Sequence, residues 1–313
     1  MTGYVARRAV QAVVVMLGVS VLVFALVHLV PGDPIQAALG TRYDPAIAEQ
    51  LRERSGLDQP LVAQYFTWLG RALAGDLGVS FRSGQPVTAT ILGRLPATLT
   101  LAFAALVVAL VIALPLGVIS AVKQGSRTDY AATVFSQAGI SIPDFWMGIM
   151  LILGLSLYLG VLPPSGYVSI LESPAGWLRH LAMPAVTVGV VSGSVLTRFV
   201  RSSTLEALSQ DYTTTARAKG LRERVVVNRH VLKNALIPVV TVTGLQLGFL
   251  LGGVVVVEVV FAWPGLGQLA LIAVNRRDYP VLQGVVLVIA VLFLLINLLV
   301  DLLYAYLDPR IKY

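Results

Sequence analysis

The chain has 313 residues, of which 57% are apolar and 12% are charged, with a net charge of +7 and no cysteine. Soluble domains have about 45–50% apolar and about 25% charged residues, so this composition excludes a soluble single core. Its high hydropathy excludes a disordered chain, and the lack of cysteine excludes disulfides, thiolate metal sites and a cysteine nucleophile. A basic chain of this kind either binds nucleic acid or has basic loops on one face of a membrane.

The first apolar run extends from Ala9 to Val30 without Asp, Glu, Lys or Arg. At about 1.5 Å per residue this run is long enough to cross the hydrocarbon core of a bilayer. Arg7 and Arg8 precede it and a Pro-Gly-Asp-Pro segment, residues 31–34, follows it. A signal peptide has a shorter apolar core and a small-residue cleavage site, so we predict a retained first transmembrane helix.

Further apolar runs predict the other transmembrane helices. The segment 131–142 is too short to cross a membrane alone and runs into Pro143, so we interpret it as the first half of a broken third helix. The sequence predicts an all-α fold, a polytopic membrane helix bundle of about six transmembrane helices. The later predicted spans are Ala97–Val122, Phe145–Leu162, Leu181–Thr197, Ala235–Ala262 and Val281–Ala305.

The positive charges identify the side of the membrane on which each loop lies. With six spans, the segments on the side of the termini hold 14 of the 23 Lys and Arg residues within 60 residues, and the opposite segments hold 9 within 102. Because cytoplasmic loops carry the excess of bases, we expect a multi-pass membrane protein with both termini cytoplasmic. The charge is therefore a topology signal, and we expect contact with the lipid bilayer and none with nucleic acid.

The predicted organisation has three parts: 1–30, the N-terminal tail and first span; 31–96, an extracytoplasmic segment; and 97–313, a core domain of membrane helices with a cytoplasmic elbow at 198–234. In the outer segment, Asp44 is a candidate N-cap, and Leu61–Leu73 is amphipathic with Tyr65, Phe66 and Trp68. These aromatic side chains either lie in the interfacial belt or pack under the loop. The segment itself is either a docking surface for an extracytoplasmic partner or a cap on the bundle.

The elbow 198–234 holds eight of the basic residues. We predict a helix over Ser203–Ala218 that Gly220 terminates, followed by a second helix that continues to Leu236. Composition alone does not decide whether this elbow contacts a partner or is a hairpin made basic only by its position on the inner face.

Particular residues of the elbow resemble the coupling loop of the permeases of ABC importers. The segment Asp211-Tyr-Thr-Thr-Thr-Ala-Arg-Ala-Lys-Gly-Leu221, with Asn234-Ala-Leu-Ile-Pro238 after it, is most similar to the peptide-transporter branch. Four other segments resemble that branch in the same order: Tyr4–Arg8 with Pro31–Pro34, Gly75–Gly78 with Pro86-Val87, Arg94–Thr98, and Glu258–Gly267 with Arg277–Pro280. The chain thus resembles the first permease subunit of a dipeptide or oligopeptide importer over nearly its whole length.

This resemblance implies the type I ABC importer permease fold, a place in the bacterial cytoplasmic (inner) membrane and one half of a translocation path for di- and oligopeptides. It implies as partners a second permease subunit, two cytoplasmic ABC ATPase domains and an extracytoplasmic substrate-binding protein. The chain has no phosphate-binding loop of the Gly-x-x-x-x-Gly-Lys-Ser/Thr type, so we expect no enzyme activity and no bound cofactor, with ATP and Mg on the ATPase subunits. The alternatives are an importer of the same class for a nickel chelate or glutathione, and an ion-coupled secondary transporter.

By the same resemblance, a set of elbow residues is implied to contact the ATPase: Tyr212, Thr214, Thr215, Ala216, Arg217, Ala218, Lys219, Gly220 and Leu221. The broad superfamily has a Glu where this chain has Thr214, so Arg217 and Lys219 become the candidates for the polar contact.

Two other groups of residues are candidate functional positions within the predicted spans. Gly244, Gly248 and Gly252 recur every four residues, and small residues at that spacing allow helix backbones to approach closely. Glu258 and Asp144 are acids at or near membrane depth, which makes them candidates for the path or an interface. Asp144 directly follows Pro143, and a helix cap is the alternative role for it.

Overall fold

A computed structural model describes residues 2–29, 34–39, 44–55 and 58–307, and these ranges are helical apart from turns and short loops. The only extended pairing within them is an isolated antiparallel bridge between Val79 and Pro86. Two stretches, Ile152–Tyr158 and Val226–Val231, have π-helical hydrogen bonding. The helices are α1 (Thr2–Leu29), α2 (Pro34–Leu39), α3 (Pro45–Ser55), α4 (Leu61–Leu73), α5 (Val87–Val122), α6 (Arg127–Ser141), α7 (Asp144–Leu151), α8 (Pro174–Leu208), α9 (Asp211–Ala218), α10 (Glu223–Val225), α11 (Leu232–Gly253), α12 (Val255–Val260), α13 (Leu266–Arg276) and α14 (Tyr279–Leu307).

Five of the described helical segments are long and apolar enough to cross a membrane, and a sixth span results if the bent pair formed by α6 and Asp144–Tyr158 counts as one. This confirms the predicted all-α bundle of about six spans. The five are Val10–Leu29, Val87–Val122, Pro174–Leu208, Glu223–Gly252 and Tyr279–Leu302.

The bent pair confirms the predicted break at Pro143. Helix α6 ends at Ser141, Ile142 is extended, and α7 begins at Asp144, with an angle of 100° between the two helical pieces. Proline lacks the N–H that would continue the hydrogen bonding of α6, so the chain turns there. The first piece begins earlier than the predicted 131, at Arg127, because the side chain of Ser126 caps it by accepting from the Asp129 N–H.

The chain divides into two compact units. Unit 1 consists of Thr100–Trp263 and the part of α14 from Leu295. Its core lies where α5, α8 and α11 meet and contains Ala109, Ala113, Leu196, Val200 and Val239. Alanines on α5 leave room for the larger side chains of α8 and α11, so the three helices pack closely.

Unit 2 consists of Thr2–Leu99 and Pro264–Leu294. Its main core joins the start of α5 to α13 and α14 through buried residues that include Val87, Ile91, Leu266, Val281 and Val285. This packing explains why α5 begins at Val87 and not at the predicted Ala97: hydropathy marks the apolar part of a helix, whereas the first turns are held by partners far along the chain.

One helix prediction was wrong. The segment Ser203–Ala218 is not a single helix, since α8 continues from Pro174 to Leu208 and ends at Ser209, and α9 begins at Asp211. Gln210 is extended between them. Serine and glutamine are only weak helix terminators, so the sequence carried little signal for this break.

The predicted cap at Asp44 is confirmed, because its side chain accepts a hydrogen bond of 2.8 Å from the N–H of Ala46 in the first turn of α3. Asp144 is the first residue of α7, and its side chain accepts a hydrogen bond of 2.8 Å from the N–H of Phe145 in the same turn.

Candidate functional site

The elbow is a helix–turn–helix in unit 1 that connects two of the candidate membrane spans. Helix α8 leads into it, α9 follows after Ser209 and Gln210, and the turn 219–222 leads to the helical segment that starts at Glu223. That segment runs through α10 and the π-helical stretch directly into α11, so the predicted second helix is continuous with the next span. The turn is therefore flanked by α9 and then α8 on one side and by the continuous helix from Glu223 on the other.

The inner face of α9 holds the elbow against the rest of unit 1. Ala216 is buried in a small apolar cluster with Ala207, Val226, Val231 and Ala235. Beside it, the buried hydroxyl of Thr213 donates a 2.8 Å hydrogen bond to the carbonyl of Ala207 in the last turn of α8, where helix carbonyls have no partner from a following turn of the same helix. Ala216, which the resemblance places among the ATPase-contacting residues, is therefore part of the elbow's core.

The remaining residues of the predicted contact set lie on the exposed side. This set combines polar, charged and apolar groups, with Tyr212 38% and Leu221 40% exposed. The exposed members are Tyr212, Thr214, Thr215, Arg217, Ala218, Lys219, Gly220 and Leu221. These residues are all exposed, in α9 and the turn that follows it, while their role in binding an ATPase stays a prediction.

Gly220 has the left-handed backbone conformation that the sequence predicts for it, with φ of +75°. Its amide donates to the carbonyl of Arg217 at 2.9 Å and so closes the turn after α9. A Cβ at this position would meet no atom within 4 Å, so the conformation and not the available space requires glycine within this chain.

The two candidates for the polar contact differ in their partners. Arg217 forms a two-pronged ion pair with Glu223 across the turn, with distances of 2.7 Å from Nη2 and 3.1 Å from Nε. Hydrogen bonding to Glu223 raises the pKa of Arg217 above its usual value. Among the described residues, Lys219 makes no ion pair or hydrogen bond through its side chain, so its ammonium group is available to a partner.

The elbow also borders a polar cleft of about 310 Å³ at the end of α8 and the start of α11. Tyr212 and Asn234, which both belong to the resembling segments, line it together with Glu206 and Gln210. The cleft brings the two parts of the coupling motif to one surface although more than twenty residues separate them in the sequence.

An ion-pair network holds the last part of α8, at the start of the elbow. The guanidinium of Arg201 bonds both carboxylate oxygens of Asp129, at 2.8 Å from Nε and 3.0 Å from Nη2. The same carboxylate accepts from the hydroxyl of Ser120 at 2.5 Å and from the N–H of Gly125 at 2.9 Å. This inner anchor, formed by Ser120, Gly125, Asp129 and Arg201, joins α5, α6 and α8 in unit 1.

Sequence reasoning missed the inner anchor. It treated Arg201 as one of the bases that mark the inner face, and it gave Asp129 no role. An acid in the first turn of a helix, shortly after Gly125 and Ser126, was the available signal. The partner lies 72 residues away, and no local pattern identifies it.

A second site lies in unit 2, where several of the resembling segments meet. The carboxylate of Asp278 accepts from the Ser80 hydroxyl at 2.5 Å and from the Phe81 N–H at 3.2 Å. The hydroxyl of Thr98 accepts from the Leu266 N–H at 2.7 Å. We call residues 75–98 with 264–280 the motif junction; its hydrogen bonds are largely buried, so its residues are held by one another.

The glycines of α11 have different surroundings. Gly244 and Gly248 are buried and Gly252 is exposed. A Cβ on Gly244 would overlap the side chain of Val300 on α14, so these two helices approach closely within unit 1. The close approach that the spacing predicts is present at Gly244.

The two acids at membrane depth also differ. Glu258 is 1% exposed, and α12, which carries it, packs on α7 and α8. Asp144 is partly exposed and bonds the first turn of its own helix. A path or interface role for either acid stays a prediction, and for Glu258 it would require a change that uncovers the side chain.

Comparison with known proteins agrees with this arrangement. A sequence profile described as "Binding-protein-dependent transport system inner membrane component" matches residues 113–313, and a companion profile for the N-terminal part of such membrane components matches residues 1–102. The chain is 42% identical over 317 residues to the oligopeptide transport system permease protein AppB of Bacillus subtilis (strain 168), with 100% of both chains covered. It is 40% identical over 337 residues to the dipeptide transport system permease protein DppB of Escherichia coli (strain K12), covering 100% of this chain and 99% of that protein.

Solved structures show the same fold at lower identity. A chain of the methionine ABC transporter MetNI in an inward-facing conformation matches with a TM-score of 0.58 and 22% identity, covering 70% of this chain and 96% of that one. A chain of an amino acid ABC transporter crystallised with histidines matches with a TM-score of 0.52 and 15% identity, covering 72% and 95%. Together with the full-length relatives, these matches show that the chain belongs to the inner membrane components of binding-protein-dependent transport systems, and it is a multi-pass permease.

Proposed function

We propose that this permease forms one half of the translocation path of an ATP-driven importer for di- or oligopeptides. The observation that carries the proposal is the full-length similarity, at 40–42% identity, to permeases named for dipeptide and oligopeptide transport. The exposed surface of the elbow supports the proposal. A permease without its own ATP site needs such a surface to bind a separate ATPase subunit.

The proposed complex contains a second permease subunit, two cytoplasmic ABC ATPase domains that bind ATP and Mg, and an extracytoplasmic binding protein that delivers the peptide. Both termini and the elbow lie on the cytoplasmic side. The distribution of Lys and Arg supports this orientation. Because the chain has no cysteine, single cysteines at Lys123 and Ser83 with a membrane-impermeant thiol reagent would test it: Ser83→Cys reacts from outside and Lys123→Cys only after the membrane is opened.

The mechanism follows from the helices that flank the elbow. ATP binding closes the ATPase pair, and the turn around Gly220 moves with the ATPase groove that holds it. The movement passes through α8 on one side and through the continuous helix 223–253 on the other, which rotates the core helices as rigid bodies. The path alternates between the two faces of the membrane as a result.

The experiment is purification of the complete complex in lipid, followed by ATPase assays with the binding protein and a panel of solutes. We expect peptides to stimulate ATP hydrolysis above the rate with binding protein alone. Stimulation by a nickel chelate or by glutathione and not by peptides would replace the substrate and keep the importer class. Solute uptake that continues without any ATPase subunit would contradict the proposal altogether and favour ion coupling.

A further inference from the structure

Helix α4 lies in unit 2 with one face packed on α1. The ring of Phe24 on α1 contacts Tyr65 and Trp68, with ring centroids 5.4 and 5.9 Å apart. The Oε1 atom of the buried Gln64 side chain accepts a hydrogen bond of 3.0 Å from Nε2 of the His28 imidazole. On this face, Tyr65 and Trp68 both pack against another helix.

The opposite face of α4 is apolar and exposed. Val62, Phe66 and Leu73 are 69%, 64% and 82% exposed. Three such side chains on one helix are costly in water, and a face of this kind usually contacts another protein or lipid. Its surroundings decide between the two.

The contacts with α1 give the depth of α4. The hydroxyl of Tyr65 bonds that of Ser20 at 2.8 Å, and both Ser20 and His28 lie within the apolar stretch Val10–Leu29 of the first span. Phe24, midway between them, lies about 7 Å from the Leu29 end at about 1.5 Å per residue. Half of a bilayer's hydrocarbon core is about 15 Å thick, so α4 packs on α1 at a level within one leaflet.

The composition of α4 fits this depth. Leu61–Leu73 contains no acid, and its single base, Arg71, lies in the last turn. Helices that lie in the membrane interface have an apolar face with aromatic residues, and long basic side chains reach from it toward the headgroups.

The remaining surface of α1 at the same level is also apolar. Leu22 and Leu26 are more than half exposed. Val23 and Val27 line an apolar groove of about 300 Å³ with residues of α13 and α14, and the exposed Arg277 stands at that groove. At this depth, apolar surface is therefore present on α4 and on other sides of α1. Hydrocarbon surrounding the protein would cover all of these surfaces, whereas a single protein partner would cover only one side.

We propose that α4 is a membrane-inserted helix, with Val62, Phe66 and Leu73 in contact with the acyl chains of the leaflet at the Leu29 end of α1. Identifying this leaflet as the outer one rests on the orientation proposed above. The depth of α4 does not depend on that orientation, because it is inferred from the contacts with α1. The helix then anchors the loop between the first two spans to the lipid, and a substrate-binding protein would dock beyond it.

The test uses a nitroxide on a single cysteine, in the complex reconstituted in lipid without binding protein. Phe66→Cys is the test position, Leu22→Cys is the lipid control and Ser83→Cys is the aqueous control. Collision with oxygen, which concentrates in lipid, is compared with collision with a water-soluble nickel chelate. We expect the ratio at Phe66 to lie close to that at Leu22.

Two outcomes overturn the proposal. A ratio at Phe66 equal to that at Ser83 places the face of α4 in water. Shielding of Phe66 from both reagents places it against a protein subunit. Each outcome leaves the importer function intact, because peptide-stimulated ATP hydrolysis by the same labelled complexes is measured separately.

Discussion

The elbow and the motif junction are both built from segments that resemble peptide permeases, but their side chains are used in opposite ways. In the motif junction, Asp278 and Thr98 bond other residues of the same unit and are buried. In helix α9 of the elbow, only Thr213 and Ala216 are buried, and the other residues of the helix are exposed. A motif whose residues satisfy one another maintains the fold, whereas a motif whose residues remain exposed is available to a partner.

The strongest test of this difference is at Gly220. A Gly220→Trp permease should reach the membrane in normal amounts but lose peptide uptake, with ATP hydrolysis no longer coupled to transport. The indole would project from the turn into the space that the proposed ATPase groove occupies, since nothing within the chain fills it. Uptake and ATPase rates of the reconstituted complex measure the effect.

Gly220→Asn is the matched control, because asparagine adopts the left-handed conformation more readily than other residues with a side chain. It should retain most of the uptake. Normal uptake by the Trp variant would show that the exposed turn does not bind an ATPase. The elbow would then not be a contact site, and its difference from the motif junction would disappear.

The next largest effect is expected at the inner anchor. We expect this site to stabilise the fold, whereas the neighbouring exposed surface of the elbow binds a partner. Asp129→Ala should lower the free energy of unfolding by about 3 kcal/mol, because it leaves the Arg201 guanidinium without its carboxylate in a partly buried position. Thermal unfolding in detergent measures the loss. Arg201→Leu added to Asp129→Ala should recover part of the stability, and no recovery would mean that the carboxylate acts mainly through Ser120 and Gly125.

A smaller loss is expected in the motif junction. Asp278→Ala should cost about 2 kcal/mol, since the Ser80 hydroxyl and the Phe81 N–H would lose their buried acceptor. Asp278→Asn keeps an acceptor and should cost less. If the Asp278→Ala variant is as stable to unfolding as the unchanged protein but loses transport, the motif junction is a contact site. The two regions would then not differ in the way described.

The helix behind the elbow offers a steric test. Gly244→Ala should destabilise by about 1–2 kcal/mol, because the added methyl group overlaps Val300 in a close-packed contact. Gly252→Ala on the exposed side of α11 is the control, and there the gain in helix propensity should stabilise slightly. Equal behaviour of the two variants in thermal unfolding would contradict the close approach.

The smallest effect is expected for the ion pair across the elbow turn. Glu223→Gln should change the free energy of unfolding by less than about 1 kcal/mol, because the pair with Arg217 is half exposed to solvent. Uptake should remain nearly normal, since Lys219 is available for the polar contact. A large loss of uptake with normal stability would instead identify the Arg217–Glu223 pair as part of the docking surface.

Local signals in the sequence predicted much of the fold. Apolar runs placed the spans, Pro143 placed the sharp bend, and Gly220 placed the left-handed turn. Each of these depends on the chemistry of one residue or one continuous segment. The elbow surface was predicted by resemblance, and the structure added that Ala216 belongs to its core.

Long-range pairings could not be predicted in the same way. Asp278 and Ser80 are 198 residues apart, and Asp129 and Arg201 are 72 apart. A carboxylate next to a helix start has the same local pattern whether it caps the helix or binds a distant base. The early start of α5 and the break at Ser209 also depend on tertiary packing, which overrides weak local propensity.

The inner anchor restricts which amino-acid substitutions this sequence can accumulate. Loss of either Asp129 or Arg201 alone leaves a partly buried charge, so each single step passes through a weakened protein. Joint replacement by two apolar residues of similar size avoids that cost. Substitutions at these two positions should therefore accumulate in pairs, and random single-site libraries of this permease should be depleted at both while double variants survive.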